Sequence, residues 1–218
     1  MCIRDRRYIV LDTETTGLDP DDGHKIIEIG CIEINNRKVT DNSFHKYINP
    51  LREIDIEASK VHGMTASSLR DKPIFHDIYD EFLEYIADSP LIIHTAPFDI
   101  GFLKKEFGYL KRKDNFINNE IIDSLKLARK ISPGKRNTLD ALCERYSVDN
   151  SDRNIHGALL DARLLAYVYL KLTIGQNNFN DLSVEQGIQD DDIDTSTKDF
   201  KVIKASSDDI ILHESYFK

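Results

Sequence analysis

The sequence predicts an α/β domain with a mixed sheet flanked by helices, followed by a flexible C-terminal tail. Three observations lead there. Short apolar runs with strand character come first, helical periodicities alternate with strands after them, and the composition changes abruptly after Gly175.

Tyr8 to Leu11 is an apolar run that ends in the turn-rich stretch Thr15 to Gly23, which predicts the opening strand. Ile26 to Ile34 reads as a second strand and Phe44 to Ile48 as part of a third, with Asn35-Asn36 as the hairpin turn between them. Ile74, Ile78, Phe82 and Ile86 recur every fourth residue, the stripe of an amphipathic helix. After Pro90, Leu91-Ile92-Ile93 is a short buried strand, and a helix follows from about Pro97 with Ile100, Leu103 and Phe107 inward. Thr138 is placed to cap a helix that contains Leu139, Leu142 and Tyr146. The last strong helix runs from about Gly157 to Ile174 and stops at Gly175.

These elements give a catalytic-sized domain over 7–175. Residues 176–199, dominated by Asn, Asp, Gln, Ser and Thr, read as a flexible linker. In 200–218 apolar residues return, too few for a domain but enough for a segment that orders against a partner.

The chain has 218 residues, 40% of them hydrophobic and 31% charged, as expected of a soluble globular protein. No apolar run is long enough to span a bilayer, and Met1 to Arg6 lacks the apolar centre of a secretion signal, so no membrane partner is expected. We give that opening segment no role. Cys2, Cys31 and Cys143 are odd in number and lack zinc-ligand spacing, which fits a reducing cytoplasm. The net charge of −9 is uneven: residues 176–218 hold −6 of it, leaving −3 for the body. Such a balance argues against tight, non-specific duplex binding but not against gripping a short single-stranded end.

The chemistry is carried by carboxylates. Side chains alternate along a strand, so Val10, Asp12 and Glu14 share one face, with the two acids roughly 6.5–7 Å apart along it. Two anions at the end of a buried strand repel and cost several kcal/mol each to desolvate. A divalent cation with a preference for oxygen ligands turns that liability into a site. His94-Thr95-Ala96-Pro97-Phe98-Asp99 places Pro97 in a first helical turn and Asp99 near its third position, where the helix dipole favours an anion whether or not it has a function. In His156-Gly157-Ala158-Leu159-Leu160-Asp161, Asp161 stands three, four and seven residues before Leu164, Leu165 and Val168 and so projects from the core-facing stripe. His156 lies just outside the helix start, able to approach the same centre. Four carboxylates at strand ends and helix starts, with one histidine, suit a phosphodiesterase in which two cations ~3.5–4 Å apart clamp the scissile phosphate. The histidine is the natural base for the attacking water. This reading requires the acids to converge and no lysine or arginine to plug them.

Order and spacing resemble the DEDDh exonucleases, a ribonuclease H-like family, and within it the epsilon-type proofreading subunits of bacterial DNA polymerase III. The resemblance covers nearly the whole chain. It rests on Ile9 to Gly17, His24 to Gly30, Asp99-Ile100-Gly101-Phe102, Pro133 to Cys143 and His156 to Ala162. It implies 3′-to-5′ polarity, with Asp12, Glu14 and Asp161 holding one cation, Asp12 and Asp99 a second, and His156 as general base. The cations would be Mg²⁺ or Mn²⁺. It further implies that Glu57 and His62 contact the terminal nucleotide at a single-stranded 3′ DNA end, with Phe98 as a wall. Thr95 stands where the family pattern has Asn, which weakens one nucleotide contact. The tail over 200–218 corresponds to the segment that tethers such subunits to the polymerase III alpha subunit. Gln176 to Leu182 keeps the Gln and one aromatic of a sliding-clamp peptide but puts Asp181 at the second anchor, so a clamp contact is at best weak. An RNA-trimming relative with the same five residues, and a scaffold for the polymerase, are the competing readings.

Overall fold

The computed structural model describes residues 6–110, 118–153 and 155–174. The expected linker and tethering tail therefore lie outside the described residues, as does the segment Met1 to Asp5.

β1 (Arg7–Thr15), β2 (Ile26–Asn35) and β3 (Lys38–Tyr47) form an antiparallel meander, and β4 (Leu91–Ile93) and β5 (Ile121–Asp123) add in parallel on the other side of β1. The sheet order is β3-β2-β1-β4-β5. The helices are α1 (Ile56–His62), α2 (Ala66–Leu69), α3 (Phe75–Ile86), α4 (Ala96–Tyr109), α5 (Ser124–Ile131), α6 (Leu139–Tyr146) and α7 (Ala158–Leu172). This is the mixed, helix-flanked sheet of the ribonuclease H-like fold, seen here in the described residues.

The alternation along β1 divides the core. Ile9 and Leu11 face α3 and α4, where Phe107 meets the rings of Phe75, Tyr79 and Phe82 at 5.7, 5.2 and 6.5 Å between centroids. Val10 faces the other way, with Leu142 of α6 and Leu165 and Val168 of α7. Each fully buried side chain of this size contributes roughly 1.5–3 kcal/mol, so both helical layers are held by apolar burial. Because Asp12 and Glu14 share the parity of Val10, they emerge on the side that α7 covers.

Several boundaries differ from the sequence expectation. β1 continues through Thr15, because antiparallel pairing with β2 persists from Arg7↔Asn35 to Thr15↔Ile26. The hairpin turn is Asn36-Arg37 rather than Asn35-Asn36, both residues left-handed at φ 50° and 59°. Arg37 is held there from outside the hairpin: its guanidinium donates to Leu170 O at 2.7 Å and Thr173 Oγ1 at 3.2 Å, satisfying the C-terminal end of α7. α1, α2, β5 and α5 were not legible as elements. The apolar residues of α1, Ile56 and Val61, point to solvent, and β5 has only three residues.

One glycine fixes how closely α7 approaches. Gly30 on β2 pairs with Asp12, and a β-carbon on it would fall 2.2 Å from Leu159 N and 2.3 Å from Ala158 C. The first turn of α7 therefore lies directly on the strand beside Asp12, which brings Asp161 to the β1 acids. Gly30→Ala is expected to push α7 away, costing about 1–3 kcal/mol of stability. It should also raise the divalent-ion concentration needed for half-maximal nuclease activity. Thermal denaturation together with metal titration checks both.

Candidate active site

The acids sit at the carboxyl ends of the parallel pair β1 and β4, the usual location for a site in an open sheet. β1 brings Asp12 and Glu14. β4 ends at Ile93, and the chain turns through His94 and Thr95 into α4, where Asp99 is the fourth helical residue, one further in than expected. Asp161 is likewise the fourth residue of α7. A single cleft of about 760 Å³ is lined by Asp12, Glu14, Asp99, Asp161 and His156, with Thr95 and Phe98 on its wall. The side chains expected to converge do so.

Burial and mutual repulsion dominate the electrostatics. Asp12 is raised well above the usual carboxylate range, by burial first and then by the charges of Asp99, Glu14 and Asp161. Glu14 is pushed up to about 8 by burial and by Asp161, Glu28 and Asp99. Asp99 is pushed up to about 7 by burial, against the lowering effect of the 2.7 Å hydrogen bond that Thr13 Oγ1 donates to it. Such a set needs a counter-charge. Ligand atoms of Glu14, His156 and Asp161 lie within 4.8 Å of one another, close enough for one ion, and carboxylate oxygens with an imidazole are a donor set that fits a divalent cation.

The expectation of a cluster free of basic side chains is overturned at one corner. Arg153 Nε and Nη2 donate to the two oxygens of Asp161 at 2.6 and 2.7 Å, and Nη1 donates to Asp140 Oδ1 at 2.6 Å. The arginine also lies 2.8 Å from His156 Nδ1, which draws the histidine into the tight group while Asp12 stays outside it. No ion pair reaches Asp12, Glu14 or Asp99 among the described residues, so no basic side chain neutralises these three acids.

Of the residues expected at the terminal nucleotide, Phe98 packs against Phe102 at 5.0 Å and keeps a face on the cleft. Glu57 and His62 are not in the lining. Glu57 is exposed and paired with Lys60 at 2.6 Å. His62 is buried, accepts from Met64 N at Nδ1 (3.1 Å), and leaves Nε2 without a hydrogen-bond partner. Its α1 adjoins the site nonetheless, since His156 N donates to Val61 O at 3.2 Å.

The family model for exonucleases matches residues 9–169. The chain belongs to the exonuclease family. Members of the family use divalent metal ions, and this chain is a 3′-5′ exonuclease. Among curated proteins it is 50% identical to the DNA polymerase III subunit epsilon of Salmonella typhimurium over 96% of this chain and 91% of that one. It is 54% identical to the Escherichia coli subunit of the same name, over 79% and 73%. Among solved structures, Exonuclease X in complex with 5′ overhanging duplex DNA superimposes with a TM-score of 0.63 at 24% identity, covering 78% of this chain and 93% of that one. The nuclease domain of 3′hExo, a DEDDh family member bound to rAMP, gives 0.67 at 16% identity over 79% and 94%. Both likenesses attest the fold.

Sequence reasoning missed Thr13, Glu28, Asp140 and Arg153 of this exonuclease. Glu28 was within reach, since a correct β1–β2 register puts it opposite Glu14. Arg153 gave no periodic or motif signal beyond standing three residues before His156.

Thr95, the residue before α4, adopts a left-handed conformation at φ 70°, ψ 49°, which a β-branched side chain tolerates poorly. Asn visits that region readily. Thr95→Asn is therefore expected to raise stability by about 1 kcal/mol and to lower the KM for the terminal nucleotide. Thermal melts and steady-state kinetics read the two effects.

The raised carboxylates set a pH dependence. A folded form that keeps a proton the unfolded chain has released is stabilised below the unfolded-state pKa, and loses that advantage as pH rises through the folded-state value. Without divalent ions the melting temperature should fall as pH climbs from about 5 to the value of about 8 at Glu14. Added Mg²⁺ should reverse the fall. Ion binding near neutrality should release protons, measurable by calorimetry in buffers of different ionisation enthalpy.

Proposed function

We propose that this exonuclease removes mispaired nucleotides from the 3′ end of DNA as the proofreading subunit of a bacterial DNA polymerase III, in the cytoplasm. The observation that carries the reading is the convergence of Asp12, Glu14, Asp99, Asp161 and His156, from three separated segments, on one cleft.

In this reading Asp12, Glu14 and Asp161 hold one divalent cation and Asp12 and Asp99 a second, Mg²⁺ or Mn²⁺. Bound there, the pair would polarise the scissile phosphate and stabilise the leaving 3′ oxygen. The chain's own residues do the rest. His156, exposed on the loop before α7, takes the proton of the attacking water. The water oxygen bonds to phosphorus, the bond to the 3′ oxygen breaks, and a nucleoside 5′-monophosphate leaves. Thr13 fixes the rotamer of Asp99 through its 2.7 Å hydrogen bond. Phe98 gives the terminal base a face to stack on.

Charge around the cleft suits a strand end. Arg129, Lys135 and Arg136 are exposed on the same lining and make no ion pair among the described residues, so they are available for backbone phosphates upstream of the acids. A frayed mismatch reaches the acids at lower cost than a paired end, which is the basis for selectivity. Association with the polymerase alpha subunit is assigned to 200–218. The similarity to the Salmonella subunit extends over 96% of the chain, which supports a shared role for that segment. With Asp181 at the second anchor position, the clamp-binding pattern of 176–182 is degraded.

The Asp12→Ala, Glu14→Ala double variant should lose at least about 10³-fold of its activity on a 3′-mismatched primer. Without divalent ions it should melt higher than the parent, because two repelling buried acids are gone. Undiminished nucleotide release would sink the assignment. Equal turnover of DNA and RNA strands of matched sequence would move the substrate towards RNA.

A further inference from the structure

Arg153 is used by no step above, yet its side chain is only 6% exposed and four of its contacts fall within the cleft. It sits on the loop between α6 and α7 and joins their first turns, with Asp140 on one side and Asp161 on the other. We propose that Arg153 is a resident cation that competes with the divalent ion for Asp161 and moves wholly onto Asp140 when the ion binds. The proposal rests on the reading of Asp161 as a metal ligand.

Three features of the geometry support it. First, the guanidinium fork covers both oxygens of Asp161, the atoms through which that residue would coordinate a metal, and a divalent charge a few ångströms from a guanidinium repels it. Second, the arginine has a second acid to fall back on. Asp140 is 57% exposed and already accepts from Nη1, so displacement leaves no unpaired buried charge, the costly outcome when a buried pair is broken. Third, the contact reaches beyond Asp161. A guanidinium only donates, so its 2.8 Å approach to His156 Nδ1 takes up that nitrogen's lone pair. The docked arginine thus occupies one metal ligand and the proposed base together, and releasing it frees both. By linkage, the factor by which Arg153 weakens ion binding equals the factor by which the ion weakens the Arg153–Asp161 contact.

The test is Mn²⁺ binding to the full chain without nucleic acid, followed by calorimetry or by the free-ion paramagnetic resonance signal. Arg153→Gln should bind Mn²⁺ about tenfold more tightly than the parent, and should melt at a lower temperature without metal. Asp140→Asn removes the fallback acid at an exposed position where folding is secure, and should bind Mn²⁺ more weakly. That weakening should vanish in the Arg153→Gln background, where no arginine needs relocating. Arg153→Gln binding as the parent does, or more weakly, would show that the arginine only positions Asp161 and would overturn the proposal. If Arg153→Gln fails to fold, Asp140→Asn decides alone: unchanged Mn²⁺ affinity overturns the relocation. The metal reading has its own control, since an Asp12→Ala, Glu14→Ala chain that keeps full Mn²⁺ affinity would remove the ligand assignment however Arg153 behaves.

Discussion

Gathering four carboxylates at one end of a sheet is unfavourable twice over, because each is desolvated and each repels the others. The consequence is visible in the protonation of Asp12, Glu14 and Asp99, all raised above the ordinary carboxylate range. The rest of the fold is arranged so that this concentration of charge can exist. Apolar burial on both faces of β1 supplies the stability that the acids withdraw. The helices that carry Asp99 and Asp161 present their amino-terminal turns to the cluster, where the positive end of the dipole is nearest.

Position along the elements does the remaining work. Asp99 and Asp161 occupy the same step of two helices on opposite faces of the sheet, and each reaches the end of β1 from its own side. Thr13, of opposite parity to Asp12 and Glu14, is the link to the α4 side, since its hydroxyl bonds Asp99. Gly30 is the corresponding device on the α7 side, where the absence of a β-carbon sets the distance. A cleft built from strand ends and first helical turns is stiff, which a site that must place ions within a few tenths of an ångström requires.

The parts legible in the sequence were those with a period or a motif. Strand parity put Asp12 and Glu14 on one face, the every-fourth-residue stripe located α3, and Thr138 capped α6 as its chemistry requires, accepting from Ala141 N. What escaped was set by tertiary partners. The hairpin turn slid by one residue because Arg37 is drawn to the end of α7, 133 residues away from its own position at Leu170. α1 escaped because its apolar residues are exposed, so no stripe marks it. The acids were found because a carboxylate is anomalous on an apolar face. Arg153 was missed because an arginine in a polar loop is ordinary until the loop folds inward.

That loop explains why an acidic protein can serve a polyanionic substrate. Within the cleft, positive charge stands at two depths: Arg129, Lys135 and Arg136 on the exposed rim, Arg153 buried against the acids. In the proposed reading the rim meets phosphates directly. In the proposed exchange the deeper arginine and the divalent cation are alternatives for the same oxygens of Asp161, so the centre would be neutralised by one or the other. Because Arg153 and His156 are three residues apart on one segment, the proposed exchange of cations would free the proposed base in the same movement. A nuclease built this way links the freedom of its base to the arrival of its metal through a single short stretch of chain.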